Sequence, residues 1–219
     1  AVRKLVLYMR SNAVSWNPIE AFNFTLANED HNLYTYDIRN LSSSKAIHEG
    51  HVRPVLAVDY APTGQEIVSG SYDHTLRLYD LRNGQFGRKA RDVYHSKRMQ
   101  RVFDVSYSID SQIILSASDD GDIRMWKSKA DRPMKPLLPK ERDALNYAEK
   151  LKQRYKHVPE VRRILNHKHL PKPIHRMQAA KRIMKDSARR KTANRRAHST
   201  PGSEPHVPDN KKNIVKELE

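Results

Sequence analysis

Cysteine is absent from this chain of 219 residues, and aromatic residues make up only 7% of it. Without thiols there is no disulfide framework, no thiolate zinc site and no cysteine nucleophile. Long apolar runs are missing too, because the longest, residues 5–9, is far shorter than the roughly 20 residues that a membrane span needs. No secretory signal is recognisable. We therefore expect a soluble intracellular protein without a membrane partner.

Acidic residues are scarce in one part of the chain. Residues 1–130 carry 17 Lys and Arg against 15 Asp and Glu, whereas residues 131–219 carry 24 against 10. Nearly all of the net charge of +16 therefore belongs to the C-terminal part. This asymmetry predicts two domains, a near-neutral globular module at 1–130 and a basic extension at 131–219 that binds a polyanion, most often nucleic acid.

Three segments of the N-terminal part repeat one another: residues 28–40, 71–83 and 118–130. Their terminal aromatic residues are 43 and 47 residues apart, and an aspartate lies six residues before each of them. A period near 44 with several short strands per unit is typical of the four-stranded blades of WD-repeat propellers. We therefore predict an all-β WD-repeat propeller followed by a basic α-helical extension.

The second repeat shows the pattern most fully. It predicts strands at 55–60, 66–70 and 75–80, separated by turns that contain Pro, Gly, Asp or Ser. Three repeats cannot close a propeller, which typically needs about 4–8 blades. We therefore expect a fragment that supplies about three C-terminal blades, with residues 1–10 completing the blade before them.

Serine, histidine and aspartate recur at the repeat period, which raises the question of catalysis. In WD-repeat blades these residues and the terminal aromatic form a buried hydrogen-bonded tetrad that satisfies their polar groups. A hydrolase would need an exposed nucleophile and an oxyanion hole as well, and a catalytic site is seldom copied at a repeat period. We therefore predict no catalytic residue and a structural role for His51, Ser69, Asp73, His95, Ser116, Asp120 and Trp126. Tyr36 and Tyr79 stand where tryptophan is usual.

Strand signals stop after Trp126, and the Pro-containing segment 129–140 predicts a linker. Apolar spacing then predicts a helix at 140–156, a short helix from Pro159 and a third helix at about 174–196. The apolar stripe expected on the third helix consists of Ile174, Met177, Met184 and Ala188.

Basic residues dominate this helical region, with 13 Lys and Arg against one acidic residue in 161–200. Cations at that density neutralise phosphates, whereas a merely solvated helix face would carry acidic i,i+4 partners. A membrane surface suits the region less than RNA does, because its apolar stripe is narrow and lacks aromatics. The predicted RNA-binding residues are Arg162, Arg163, His167, Lys168, His169, Lys172, Arg176, Lys181, Arg182, Lys185, Arg189, Arg190, Lys191, Arg195 and Arg196.

Four histidines in or beside this region raise a zinc hypothesis: His157, His167, His169 and His175. Without cysteine or a local carboxylate cluster the hypothesis is weak, and phosphate contact or simple exposure is favoured. The sequence has no phosphate-binding glycine loop, paired-carboxylate site or His–Glu–x–x–His motif. We expect no metal, no cofactor and no small-molecule substrate.

Four stretches, 9–39, 93–100, 149–174 and 195–205, resemble the Sof family of WD-repeat proteins, and the resemblance covers nearly the whole chain. It implies a seven-bladed propeller with a helical tail, working in the nucleolus within the small-subunit processome. This particle folds and cleaves the precursor of small-subunit ribosomal RNA. The implied function is a non-catalytic ribosome assembly factor. Its implied partners are precursor and small-subunit ribosomal RNA, the box C/D small nucleolar ribonucleoprotein and other processome proteins.

The resemblance implies a second role as well. Animal members of the family are described as substrate receptors of a cullin-RING ubiquitin ligase that dock to its adaptor through aromatic–Asp–x–Arg motifs. Residues 36–39 and 79–82 match that form, so Arg39 and Arg82 are the candidate docking residues. Arginine is also common at solvated strand ends, and this alternative stays open beside the assembly factor. An enzyme is the third and least favoured class.

Overall fold

The structure, a computed structural model, describes residues 3–81, 88–200 and 202–218. It contains two compact units: Ala1–Ser128 together with Leu170–Glu219, and Lys129–His169. Compactness thus groups residues 170–219 with the repeats, whereas composition grouped them with the basic extension. The predicted domains, 1–130 and 131–219, follow charge rather than packing.

Thirteen described strands form four antiparallel sheets. The terminal sheet pairs β1 (Lys4–Leu7) with β13 (Ile214–Leu218). Sheet 1 consists of β2 (Ser11–Trp16), β3 (Asn23–Asn28), β4 (Leu33–Asp37) and β5 (Ala46–His48). Sheet 2 consists of β6 (Val55–Tyr60), β7 (Glu66–Ser71), β8 (Leu76–Asp80) and β9 (Asp92–Tyr94). Sheet 3 consists of β10 (Val102–Tyr107), β11 (Ile113–Ser118) and β12 (Ile123–Lys127).

Sheets 1 to 3 repeat one plan. In each sheet consecutive strands pair in sequence order, and the strands predicted in the second repeat are confirmed. The first strand of each sheet also carries a register shift at the same place, between Ser11 and Ala13, Val55 and Ala57, and Val102 and Asp104. These positions are spaced as the sequence repeats are, so the irregularity belongs to the repeat unit.

The core lies between successive sheets. Val68 and Leu76 of sheet 2 are fully buried in one cluster with Val102 and Ile114 of sheet 3. Gly70 permits this close approach, because a Cβ atom there would lie only 2.6 Å from Cγ1 of Val102. The β-branched and leucine side chains of the strand pattern are therefore what joins one repeat to the next.

The terminal sheet was not predicted. β1 pairs antiparallel with β13 and lies against sheet 1, where Leu5, Leu7 and Ile214 pack on the cluster around Tyr36. The Tyr36 hydroxyl donates to Asn213 Oδ1 at 2.9 Å. A single short strand far from the repeats has no period to reveal it, so the sequence pattern contained no signal for β13.

The three predicted helices are confirmed as α1 (Pro139–Arg154), α2 (Pro159–Asn166) and α3 (Lys172–His198). Each has proline within its first two positions, where the missing N–H costs no hydrogen bond. α1 and α2 belong to the second unit and bury no side chain, whereas α3 belongs to the first unit and buries Ile174. A short 3₁₀ helix, Asp209–Lys211, precedes β13.

Candidate nucleic-acid interface and the polar network beneath it

The second repeat brings His51, Ser69 and Asp73 together, as predicted. His51 Nδ1 donates to Asp73 Oδ2 at 3.0 Å, and the Ser69 hydroxyl lies 2.7 Å from His51 Nε2. Asp73 also accepts the backbone N–H of Val52 at 3.2 Å, and it accepts both the N–H and the hydroxyl of Thr75. The carboxylate therefore ties the loop before β6 to the turn between β7 and β8.

Burial sets the protonation of this pair. It lowers the pKa of His51, so the imidazole is neutral at pH 7. Burial on its own raises the pKa of Asp73, but contacts with His51, Arg77 and Thr75 outweigh it and hold that pKa below its usual range. The pair is thus a neutral imidazole hydrogen-bonded to a carboxylate.

The same burial decides against nucleophilic chemistry at this triad. Ser69 is 0% exposed, and His51 and Asp73 are each 1% exposed. A Ser–His–Asp triad acts on a substrate that reaches the serine oxygen. No surface of Ser69 is open to a substrate, so the arrangement serves to satisfy buried polar groups.

The terminal aromatic of the second repeat does not complete the network. Tyr79 is fully buried, but its hydroxyl has no hydrogen-bond partner among the described residues. The third repeat has tryptophan at this position, and Trp126 Nε1 donates to the Ser116 hydroxyl at 2.9 Å. Within the described residues, the third repeat therefore has a serine–aromatic hydrogen bond of good geometry.

The aspartate of the third repeat has a different partner. Arg124 binds Asp120 through two hydrogen bonds, and this contact lowers the pKa of Asp120. His95, the remaining predicted member, is half-buried. The tetrad of the third repeat therefore stays a prediction for His95, while its serine and tryptophan are joined.

A second buried network was missed by sequence reasoning. In sheet 1 the Thr25 hydroxyl lies 2.8 Å from that of Thr35 and 2.6 Å from the hydroxyl of Tyr60 in sheet 2. Thr35 continues the chain to His48 Nε2 at 2.9 Å. Thr25 stands 44 residues before Ser69, so the repeat period itself marked the position as a buried hydroxyl.

Helix α3 is anchored on the loop that holds the second tetrad. Gln178 Nε2 donates to the Gly50 carbonyl at 2.7 Å, and Lys181 Nζ donates to the His51 carbonyl at 3.2 Å. Lys185 pairs with Glu49 at 2.6 Å. Two predicted RNA-binding residues, Lys181 and Lys185, thus contact the repeats.

The face of α3 that meets the repeats differs from the predicted apolar stripe. It runs from Ile174 through Gln178 and Lys181 to Lys185, with helical spacings of four, three and four. Met184, expected on the stripe, is 72% exposed. Burial lowers the pKa of Lys181, which is consistent with its place against the repeats.

Most other predicted cations of α3 face solvent. Arg182 pairs with Asp186 at 4.0 Å, and Arg195 pairs with Glu204 at 3.7 Å. Arg196 is half-buried. The remaining predicted cations of this helix are exposed: Lys172, Arg176, Arg189, Arg190 and Lys191.

The second unit carries the other predicted RNA-binding residues. Arg162 and Arg163 are exposed on α2, and His167, Lys168 and His169 follow that helix. Arg162 also lines a concave region of about 540 Å³ together with Lys156 and His157, two basic residues that the prediction omitted. Their signal was present in the sequence, because Lys156 ends the helix predicted at 140–156 and His157 follows it directly.

One of the two candidate ligase-docking residues, Arg39, lies within the described part of the chain. Arg39 forms a bidentate pair with Asp37 and lies over the Phe22 ring, with its guanidinium carbon 3.8 Å from the ring centroid. The hydrogen bonds from Arg39 lower the pKa of Asp37 to about 2. Arg82 lies outside the described residues.

Two classes of site have no candidate in the part of the chain that the structure describes. No group of three or more His, Asp or Glu side chains within residues 3–81, 88–200 and 202–218 is placed to hold a metal ion. Across the same residues, the helices lack the length and apolar character that crossing a membrane requires.

Comparison with known proteins identifies both parts of the sequence. Residues 128–214 match the Sof1-like domain, and residues 42–80 and 92–127 match the WD domain, G-beta repeat. The chain is 48% identical to "Protein SOF1" of Saccharomyces cerevisiae over 213 residues, which are 97% of the chain and 42% of that protein.

Two vertebrate relatives, both named "DDB1- and CUL4-associated factor 13", are similar over the same extent. The Danio rerio protein is 47% identical over 218 residues, 100% of this chain and 48% of its own. The Homo sapiens protein is 45% identical over 214 residues, 98% of this chain and 47% of its own. The chain spans a little under half the length of these curated relatives. The resemblance to the Sof family is confirmed, and the chain is a WD-repeat protein with a Sof1-like domain.

Proposed function

We propose that the chain is part of a non-catalytic ribosome assembly factor of the small-subunit processome, required for processing of the small-subunit ribosomal RNA precursor. The similarity to Protein SOF1 and the Sof1-like domain support this proposal. The protein acts in the nucleolus. Its partners are precursor and small-subunit ribosomal RNA, the box C/D small nucleolar ribonucleoprotein and other processome proteins.

We further propose that sheets 1 to 3 are blades of a seven-bladed propeller that provides protein contacts. Two observations support this: the sheets pack against one another in sequence order, and the relatives are about twice as long. Sheet 3 also exposes Phe103, Ile123 and Met125, the last two by about three quarters of their surface. An apolar face of this kind is suited to packing against a further repeat.

The observation that carries the RNA-binding proposal is the asymmetry of α3. One face of the helix is fastened to the repeats by Gln178, Lys181 and Lys185, while Arg176, Arg189 and other cations remain exposed. A helix held on a folded domain presents these cations with little loss of freedom on binding. Phosphate groups of RNA are the polyanion that such cations neutralise.

In-cell crosslinking of the tagged intact protein tests the proposal directly. We expect recovery of the small-subunit ribosomal RNA precursor joined to peptides from residues 161–200. Recovery of protein partners without RNA would contradict the proposed role of these cations.

A salt titration tests the mode of binding. Reversing four cations of α3, in the variant Arg189→Glu, Arg190→Glu, Arg195→Glu, Arg196→Glu, should lower the slope of log affinity against log salt by about 3 for single-stranded RNA. A matched variant reverses the same charge elsewhere: Lys140→Glu, Arg142→Glu, Lys150→Glu, Lys152→Glu, all exposed on α1. Equal losses in both variants would indicate a general charge effect.

A ubiquitin-ligase receptor is the second candidate function. Two relatives carry the name "DDB1- and CUL4-associated factor 13", and Arg39 is held outward at a strand end by Asp37 and Phe22. If this function applies, Arg39→Ala combined with Arg82→Ala abolishes capture of the ligase adaptor and leaves ribosomal RNA processing intact. Unchanged capture would count against it.

A further inference from the structure

Four parts of the first unit meet around a groove of about 520 Å³. They are the loop between β5 and β6, the turn that follows β7, the loop between β9 and β10, and the first turns of α3. The groove has an apolar floor, because Val52, Met99 and Ile174 line it and are each more than nine-tenths buried. WD repeat and Sof1-like domain therefore build this surface together.

The loop that forms one wall is longer than its counterpart. Six residues separate His95 from β10, whereas three separate His51 from β6. Sheet 2 begins its first strand with the same register shift after the shorter loop, so the extra length is not needed to start a strand. The longer loop instead contributes to the groove, through His95, Ser96, Lys97, Met99 and Gln100.

The opposite wall is fixed in place. Pro171, Pro173, Ile174 and Met177 line the groove from α3 and the residue before it. The contacts of Gln178, Lys181 and Lys185 with the loop at 49–51 hold these turns. A groove whose walls are already ordered loses little entropy when it is filled.

Charge and hydrogen-bonding capacity surround the apolar floor. Arg53 and Lys97 line the groove and are exposed, while Asp73, the acidic residue in the lining, is engaged by His51. His74 has a left-handed backbone (φ 62°), and its Nδ1 has no hydrogen-bond partner among the described residues. The rim therefore favours anionic groups that accept hydrogen bonds.

The lining favours a peptide over RNA. Among the lining residues the large apolar side chains are aliphatic, and the rings are imidazoles or prolines. Unpaired bases stack on Phe, Tyr, Trp, His or arginine planes, and the lining offers His74, His95 and Arg53 but no Phe, Tyr or Trp. The floor of the groove, Val52, Met99 and Ile174, has no planar group on which a base could stack. Aliphatic pockets with a few polar groups are instead suited to the side chains of a peptide.

We propose that this groove binds a short peptide segment of a partner protein, with one or two large aliphatic side chains in the apolar floor and Asp or Glu against Arg53 and Lys97. The groove lining contains none of the exposed α3 cations to which we assign RNA. It gives the proposed protein contacts of the repeats a defined location and a defined chemistry.

A random 12-residue peptide display library, selected on the intact protein, tests the proposal. We expect enrichment of peptides that combine Leu, Ile or Met with Asp or Glu. The affinity of an enriched peptide, measured by fluorescence anisotropy, should fall at least tenfold in Lys97→Glu and in Met177→Arg. Lys211→Glu, which reverses an exposed charge that lies neither in the groove lining nor among the predicted RNA-binding residues, should leave it unchanged.

Three outcomes would overturn the proposal. The first is a selection without a consensus of acidic and aliphatic residues, and the second is an equal loss of peptide affinity in Lys211→Glu. The third is displacement of the peptide by a 12-nucleotide oligouridine whose own binding is lost in Met177→Arg. The last would make the groove an RNA site. Lys97 is exposed and Met177 is 39% exposed, so both variants should fold, and circular dichroism checks this. Peptide binding is measured without RNA, so a failed peptide selection does not affect the RNA crosslinking expected for residues 161–200. A failed crosslinking experiment likewise does not affect the peptide proposal.

Discussion

In the second repeat His51, Ser69 and Asp73 are buried and find their partners within the chain, whereas α3 holds most of its cations in water with few acidic partners. Both regions are polar, but the free energy at stake differs. A buried polar group that loses its partner keeps its desolvation penalty, while an exposed cation is stabilised by solvent. Changes in the repeat should therefore affect stability, and changes in α3 should affect binding.

The largest effect on stability is expected from Asp73→Ala. The substitution leaves His51 and the N–H groups of Val52 and Thr75 without their buried acceptor, at a cost of about 3–5 kcal/mol in the free energy of unfolding. Chemical denaturation measures it. Asp119→Ala, which removes an exposed carboxylate, should change stability by less than about 0.5 kcal/mol. Equal effects of the two would remove the distinction between the regions.

Low pH should lower the free energy of unfolding through the same network. Because the pKa of His51 is lowered in the folded protein, the unfolded chain takes up a proton below about pH 6.5 that the folded protein refuses. Stability should thus fall by up to about 1.4 kcal/mol per pH unit from pH 6.5 down to the folded pKa. The half-buried His31, whose pKa burial also lowers, adds to this loss.

Unfolding at pH 7 and pH 5.5 measures the pH effect. His51→Gln should show a smaller loss between the two values than the unchanged protein does. His206→Gln, at an exposed position, should keep the full loss. The same pH dependence in all three proteins would show that His51 does not carry it.

A smaller effect is expected where the two regions meet. Gln178→Ala with Lys181→Ala removes two hydrogen bonds to the loop at 50–51 and should weaken the docking of α3 by about 1–2 kcal/mol. Trypsin should then cleave α3 roughly tenfold faster or more, with the repeats intact. Arg182→Ala, which removes an exposed side chain, should leave the cleavage rate unchanged apart from the lost site. A protected helix in the double variant would refute the anchoring.

The smallest effect on stability is expected in the tetrad of the second repeat, at its terminal aromatic residue. Tyr79→Phe removes a buried hydroxyl without a partner in the described residues, so stability should stay within about 0.5 kcal/mol or rise. Ser116→Ala, which leaves the Trp126 indole without its acceptor, should cost about 1–2 kcal/mol. A large loss in Tyr79→Phe would show that the phenol closes the network after all.

The sequence predicted secondary-structure elements better than it predicted which side chains contact one another. Strand positions in the second repeat and the three helices followed from apolar spacing and from proline, both of which act locally. The tetrad of the second repeat followed from the repeat period. The partner of Asp120 did not follow from it. An arginine stands four residues after the aspartate in both repeats, Arg77 after Asp73 and Arg124 after Asp120. Only packing decides whether that arginine binds the aspartate, as Arg124 does.

The cations of α3 illustrate the same limit. Charge density marked residues 161–200 as a region, but it assigned Lys181, Lys185 and Arg189 the same role. The structure places the first two against the repeats and leaves Arg189 in solvent. Helical periodicity shows which residues share a face, yet which face is buried depends on the surface that the helix meets.

By itself the sequence determined the repeat unit, the helical character of the C-terminal region and its charge, because these follow from short-range spacing and composition. The tertiary structure decided the pairing of β1 with β13, the anchoring of α3 and the groove beside it. All three join residues more than about seventy positions apart in the chain, where burial and shape choose the partner and no local pattern records the choice.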